Sequence, residues 1–104
     1  MQKAAFLMRL KPGNTAEYER RHDEIWPELA EALTAAGISD YSIFLEPEQG
    51  LLFGVQRLAE GHTAAELPNL PVMRRWWDYM ADLMETNPDH SPVAQPLQQV
   101  FHLD

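Results

Sequence analysis

The sequence predicts an α+β domain in the order β-α-β-β-α-β. Three observations carry the prediction. Short segments alternate apolar and polar residues with the period of a strand. Two longer segments repeat apolar residues at helical spacing. Turn and cap residues fall between these segments. The 104 residues suit a single domain, 1–104, with one core.

Residues 3–10 read as a strand, with Phe6, Met8 and Leu10 on one side and Ala5, Leu7 and Arg9 on the other. Lys11-Pro12-Gly13-Asn14 is a turn. One long amphipathic helix is expected over residues 15–36. Asn14 is its expected N-cap, with Glu17 at capping-box spacing, and Gly37 ends it in a left-handed cap. Tyr18, His22, Ile25, Trp26, Leu29, Leu33 and Ala36 share one face of it. Pro27 lacks an N–H and should kink the helix near Asp23. Residues 40–46 form a second strand, on which Tyr41, Ile43 and Leu45 alternate with Ser42, Phe44 and Glu46. Residues 47–50 turn the chain into a third, antiparallel strand over residues 51–58.

Thr63 and Glu66, again at capping-box spacing, start a short helix that Pro68 ends. Pro71 suits the first position of the next helix, whose stripe of Met73, Trp76, Trp77, Met80, Leu83 and Met84 runs to residue 85. The prolines of residues 87–96 require a loop, and residues 98–103 are expected as the last strand. This order is that of a ferredoxin-like split β-α-β unit, with both helical segments on one face of a four-stranded sheet. The strands are apolar on their other side too: Leu7, Phe44 and Phe53 would lie there. A monomer would leave that surface wet, so a second copy is expected to cover it. Two sheets face to face make a dimeric α+β barrel with C2 symmetry.

The chain is 45% hydrophobic, as a globular domain is, and carries a formal net charge of -8. An acidic surface repels phosphate backbones, which argues against nucleic-acid binding. No apolar run is long enough to span a membrane, and the N-terminal residues lack the pattern of a signal peptide. Without cysteine there is neither a disulfide framework nor thiolate chemistry. A cytoplasmic location is expected. His62, His90 and His102 are scattered, none at metal-ligand spacing from another, and no glycine-rich phosphate cradle or serine elbow occurs. Neither a metal nor a cofactor is expected.

His22 is the leading candidate for chemistry. It is either a hydrogen-bonded core histidine or an acid–base group. The core reading is the commoner one for a lone histidine, and its place on the apolar face, one turn after Tyr18, and its ability to titrate near neutral pH raise the second. Trp76 and Trp77 point about 100° apart on a helix. Both could be core, or one could anchor the core while the other lines a pocket, where indole suits the C–H face of a sugar. Tyr41 either caps the sheet edge or points into the cavity of His22.

Several blocks together resemble the L-rhamnose mutarotase family over essentially the full length. They are Tyr18-Glu-Arg-Arg-His22-x-x-Ile-Trp-Pro-Glu-Leu29, Asp40-Tyr-Ser-Ile-Phe-Leu45, Leu51-Leu-Phe-Gly54, Arg75-Trp-Trp-x-Tyr-Met80, Asn87-Pro-Asp-x-Ser-Pro-Val93 and Leu97-Gln-x-Val-Phe-His-Leu103. The resemblance implies a cytoplasmic homodimer that interconverts the α and β anomers of L-rhamnose. It puts the proton donor at His22 and the sugar contacts at Tyr18, Tyr41, Trp76 and Trp77. The chain departs from the family at His90, where asparagine is usual, and over residues 60–70. The same barrel also serves heme-degrading and cofactor-independent monooxygenases, and a non-enzymatic sugar-binding dimer is a third reading.

Overall fold

The computed structural model describes all residues from Met1 to Asp104. Strand β1 spans Gln2–Arg9 and is followed by helices α1 (Thr15–Asp23) and α2 (Pro27–Ala35). Strands β2 (Ile38–Glu46) and β3 (Leu51–Leu58) form the hairpin; a 3-10 helix (Ala64–Asn69), helix α3 (Pro71–Met80) and strand β4 (Gln95–Leu97) complete the chain. The sheet order is β2-β3-β1-β4, all antiparallel, which is the ferredoxin-like arrangement. No helix is long and apolar enough to cross a membrane.

The expected long helix is two helices. Trp26 is extended, at φ -62 and ψ 131, so Pro27 opens a new helix at its first position instead of kinking an old one. A proline ring disfavours the helical conformation of the residue before it, and Trp26 yields to that constraint. Its carbonyl accepts from the N–H groups of Leu29 and Ala30, at 3.0 and 3.1 Å, and so starts α2. Asn14 precedes α1 without a side-chain cap; its amide instead donates to the Lys11 carbonyl at 3.2 Å. Glu17 is drawn to Arg20 and Arg21, so the capping box does not form. Thr63 also lacks a side-chain cap, and the segment it starts is 3-10 with Pro68 inside it.

Gly37 ends the helical region at φ +91, with His62 and Ala59 packed where a side chain would stand. Only glycine meets both demands without strain. The last strand lies earlier than expected. Gln95–Leu97 pairs with β1, Pro96 opposite Phe6, while residues 98–104 have no strand partner and are exposed. Pro96 is tolerated because β4 is an edge strand. Helix α3 is also shorter than its stripe, because Leu83 and Met84 continue beyond it as a buried turn bridged to Leu10.

The core fills the space between the helices and one sheet face. Met8, Leu52, Tyr18, Leu29, Trp76 and Met80 are buried together there. Gly54 belongs to this face, and the Phe6 ring occupies the space its Cβ would need.

Candidate active site: an aromatic cavity between helices and sheet

The helices do not close fully on the sheet. Between them lies a cavity of about 800 Å³, walled mainly by apolar side chains, within the size range of small-molecule sites. All five residues singled out in the sequence line it: Tyr18, His22, Tyr41, Trp76 and Trp77. They come from three elements, α1, β2 and α3.

Tyr18 and His22 are one turn apart on α1, with ring centroids 4.3 Å apart. His22 Nδ1 lies 3.0 Å from the Tyr18 carbonyl oxygen. A carbonyl can only accept, so Nδ1 carries a proton, and in the neutral ring Nε2 carries the free lone pair. Burial lowers the pKa of His22 from its ordinary 6.5, against smaller opposing effects of the Tyr18 carbonyl and Asp23. At neutral pH the resting imidazole is therefore neutral. Burial pushes the Tyr18 phenol well above its ordinary value. The Tyr41 phenol is pushed up to about 12 for the same reason. Tyr41 still keeps 37% of its surface, so its ring walls the cavity rather than the core. Both phenols stay protonated at neutral pH and can donate as well as accept.

Tyr41 alternates with Ile43 and Leu45 along β2 and lines the cavity with them, and a β-bulge precedes it. Ser39 pairs with Arg57 and Ser42 with Val55, so Asp40 and Tyr41 together face the single residue Gln56. The extra residue reverses the alternation, so that Ile38 and Tyr41, three apart, line the same cavity. Asp40 absorbs the irregularity in the left-handed region at φ 47, which aspartate tolerates better than most residues. Its carboxylate accepts from Arg57 Nε at 3.0 Å.

Trp76 is buried and Trp77 half-buried. The first is both anchor and wall, edge-on to His22 at 5.5 Å and to Trp26 at 5.1 Å. The second borders the cavity beneath Arg74, whose guanidinium lies 5.8 Å from its ring. A second set of contacts holds α1 against α3. Arg21 Nη1 donates to the Tyr79 carbonyl at 2.6 Å and to Asp82 at 2.9 Å, and the Arg21 guanidinium lies 4.5 Å over the Tyr79 ring. Tyr79 stacks on Trp26, which returns the chain of contacts to Trp76 and His22.

Sequence reasoning did not assign Phe6, Gln56 or His90 to the site. Phe6 stands 6.1 Å from Tyr41. Gln56 is a polar side chain on the cavity face of β3, and its parity with Leu52 and Gly54 was the available signal. His90, one of the scattered histidines, borders a recess of about 90 Å³ shared with Tyr18 and His22. No cluster of three or more histidine, aspartate or glutamate side chains suited to a metal ion is present.

The fold and the cavity define a class: small ferredoxin-like α+β proteins with a cavity between the helices and the sheet, here walled by an imidazole, two phenols and two indoles among apolar side chains. Comparison with known proteins narrows the class. The family model described as L-rhamnose mutarotase matches residues 3–103. An L-rhamnose mutarotase of Sinorhizobium fredii is 62% identical over 103 residues, 99% of each chain. One of Acidiphilium cryptum has the same identity and the same coverage. The crystal structure of an L-rhamnose mutarotase from Formosa agariphila superposes with a TM-score of 0.93 at 41% identity, covering 100% of both chains. This chain belongs to the L-rhamnose mutarotase family.

Proposed function

We propose that the protein interconverts the α and β anomers of L-rhamnose in this cavity, with His22 moving the proton. The full-length family match favours this reading over the monooxygenase and the non-enzymatic alternatives. The observation that carries the mechanism is the tautomer of His22. With Nδ1–H engaged by the Tyr18 carbonyl, the free lone pair is on Nε2.

The chemistry needs one proton moved between two oxygens on one carbon. Nε2 takes the proton of the anomeric hydroxyl, and the electron pair of that O–H bond becomes part of the C1=O1 double bond. The C1–O5 bond breaks, its electron pair goes to O5, and the imidazolium returns the proton there. The product is the open-chain aldehyde. Rotation about C1–C2 presents the other carbonyl face, and the reverse steps close the ring as the other anomer. His22 thus serves as base and then as the proton donor to the ring oxygen. The protonated phenols of Tyr18 and Tyr41 orient hydroxyls, and Trp76 and Trp77 offer apolar faces to the ring C–H groups. Acid–base help of this kind is typically worth about 10²–10⁴-fold. That suffices for a reaction that already proceeds in water.

The working form in this proposal is a cytoplasmic homodimer. Support for the dimer lies on the uncovered sheet face, where Phe44 is 64% exposed beside Leu7, Phe53 and Val55. Packing two such faces together removes this surface from water.

Anomer exchange measured by NMR saturation transfer tests the mechanism. His22→Ala should lower the enzymatic rate about 100-fold or more while the circular dichroism spectrum stays native. A wild-type rate in the folded variant removes His22 from the reaction.

A further inference from the structure

His90 lies outside every element of the fold, yet the chain goes to some length to hold it. Its backbone is left-handed at φ 70, a conformation disfavoured for a residue with a Cβ. The loop around it is tied shut. Asn87 N–H donates to the Ser91 carbonyl at 2.8 Å, and His90 N–H donates to the Asn87 carbonyl at 2.9 Å. The Asn87 side-chain amide donates to Ser91 Oγ at 3.0 Å. Asp89 accepts from the Ser91 N–H at 3.0 Å and lies 3.5 Å from Arg74 on α3.

The ring itself is fixed from α3. His90 Nδ1 lies 2.9 Å from Oδ1 of Asp78, the residue after Trp77. An ionised carboxylate only accepts, so Nδ1 is the protonated nitrogen, and the neutral ring keeps its lone pair on Nε2. The same side chain borders the small recess walled by Tyr18, His22, Tyr41, Trp76 and Trp77. A positioned hydrogen-bonding group therefore stands at a recess that shares Tyr18, His22, Tyr41, Trp76 and Trp77 with the proposed sugar site, on the loop after α3, whereas His22 comes from α1.

We propose that His90 is a further sugar-contacting residue, and that Asp78 is the positioning residue that orients it. The inference rests on reading the cavity as the sugar site. Nε2 of the neutral ring accepts a hydrogen bond from a substrate hydroxyl other than the one that His22 deprotonates. A monosaccharide surrounded by apolar walls leaves its hydroxyls in need of partners, because a buried polar group without one is costly. The contact is present in ground and transition states alike, so it lowers KM and leaves kcat nearly unchanged.

The experiment is anomer exchange by NMR at a series of L-rhamnose concentrations, together with thermal unfolding of each protein. His90→Ala should raise KM roughly three- to tenfold, the scale of one hydrogen bond, with kcat within about twofold of wild type. His90→Asn, which keeps a hydrogen-bonding amide, should recover part of the lost affinity. Asp78→Asn, which weakens the hold on Nδ1, should raise KM by less than His90→Ala does. An unchanged KM in folded His90→Ala, beside an active wild type, overturns the role of His90 alone. So does a fall in kcat at constant KM, or a change confined to the melting temperature. Absence of catalysed exchange in the wild type overturns instead the reading of the cavity on which the proposal stands.

Discussion

On the helix side of the sheet Leu52 keeps 1% of its surface, whereas on the opposite side Phe44 keeps 64%. Both belong to the same antiparallel hairpin, and Phe44 pairs with Phe53, the residue next to Leu52. Their side chains differ little in hydrophobicity, so the difference lies in what covers them. Helices α1, α2 and α3 cover one face and leave a hollow in it. The other face is covered by nothing in its own chain, and the tail beyond β4 adds the exposed Val100, Phe101 and Leu103. A face that carries a cavity needs its walls rigid, while an open apolar face needs a partner. Residues of the covered face wall the cavity, and residues of the open face are those that the proposed dimer would bury.

The largest effect is expected on the covered face. Leu52→Ala should cost about 2–5 kcal/mol of stability in urea unfolding, since a fully buried leucine leaves a cavity behind. A loss under about 1 kcal/mol would mean that this face is not the core. At the open end Phe44→Asp should leave the folded protomer intact and shift sedimentation equilibrium from dimer toward monomer. In a C2 interface both copies carry the change, so dissociation should strengthen about 100-fold or more. An unaltered dimer would put the contact surface elsewhere.

A finer test falls at the bulge between the two faces. Asp40→Val should cost about 1–2 kcal/mol, because a branched side chain resists the left-handed region. It should also raise KM, by disturbing the aim of Tyr41. Asp40→Gly should remain within about 0.5 kcal/mol of wild type, since glycine adopts this φ freely and the ion pair to Arg57 is exposed. Equal losses in both variants would make the ion pair, not the backbone, the reason for Asp40.

The smallest expected effect is on pH dependence. Burial depresses the pKa of His22 below 6.5, so the unfolded chain binds the proton more readily. The stability tied to the neutral ring is complete above about pH 6.5 and is lost as pH falls from there through the folded-state value. The exchange rate should follow the same course, level through neutrality and falling on the acid side, because protonation removes the Nε2 lone pair. Urea midpoints of wild type and His22→Gln across this range check the first statement, since the variant should show a shallower acid slope. A rate that rises on acidification would make the imidazolium the resting catalyst.

Much of this was legible in the residues. Strand β3 was read at its exact span because Leu51–Leu58 is bounded by a turn and by polar residues. Pro71 marked the start of α3 for the steric reason that any helix shares. Tyr18 and His22 were placed side by side from spacing alone. Helical spacing predicts only a kink at Pro27, whereas Trp26 is extended, as the rule for residues before proline predicts. Residues 98–103, with Val100, Phe101 and Leu103, are expected as the last strand, while the edge of β1 is taken by Gln95–Leu97. Composition states that a segment can pair, and not with what.

The information legible in the residues is local: which segments are helical or extended, which residues share a face, and that an imidazole follows a phenol by one turn. These follow from fixed backbone periods and short-range sterics, which act over a few residues. Tertiary packing alone brings Ile38 to the side of Tyr41 through the bulge, leaves the sheet face incompletely filled by the helices, and sets His90 at a recess beside His22. Those outcomes depend on contacts between residues distant in the chain, where no local period relates one side chain to another.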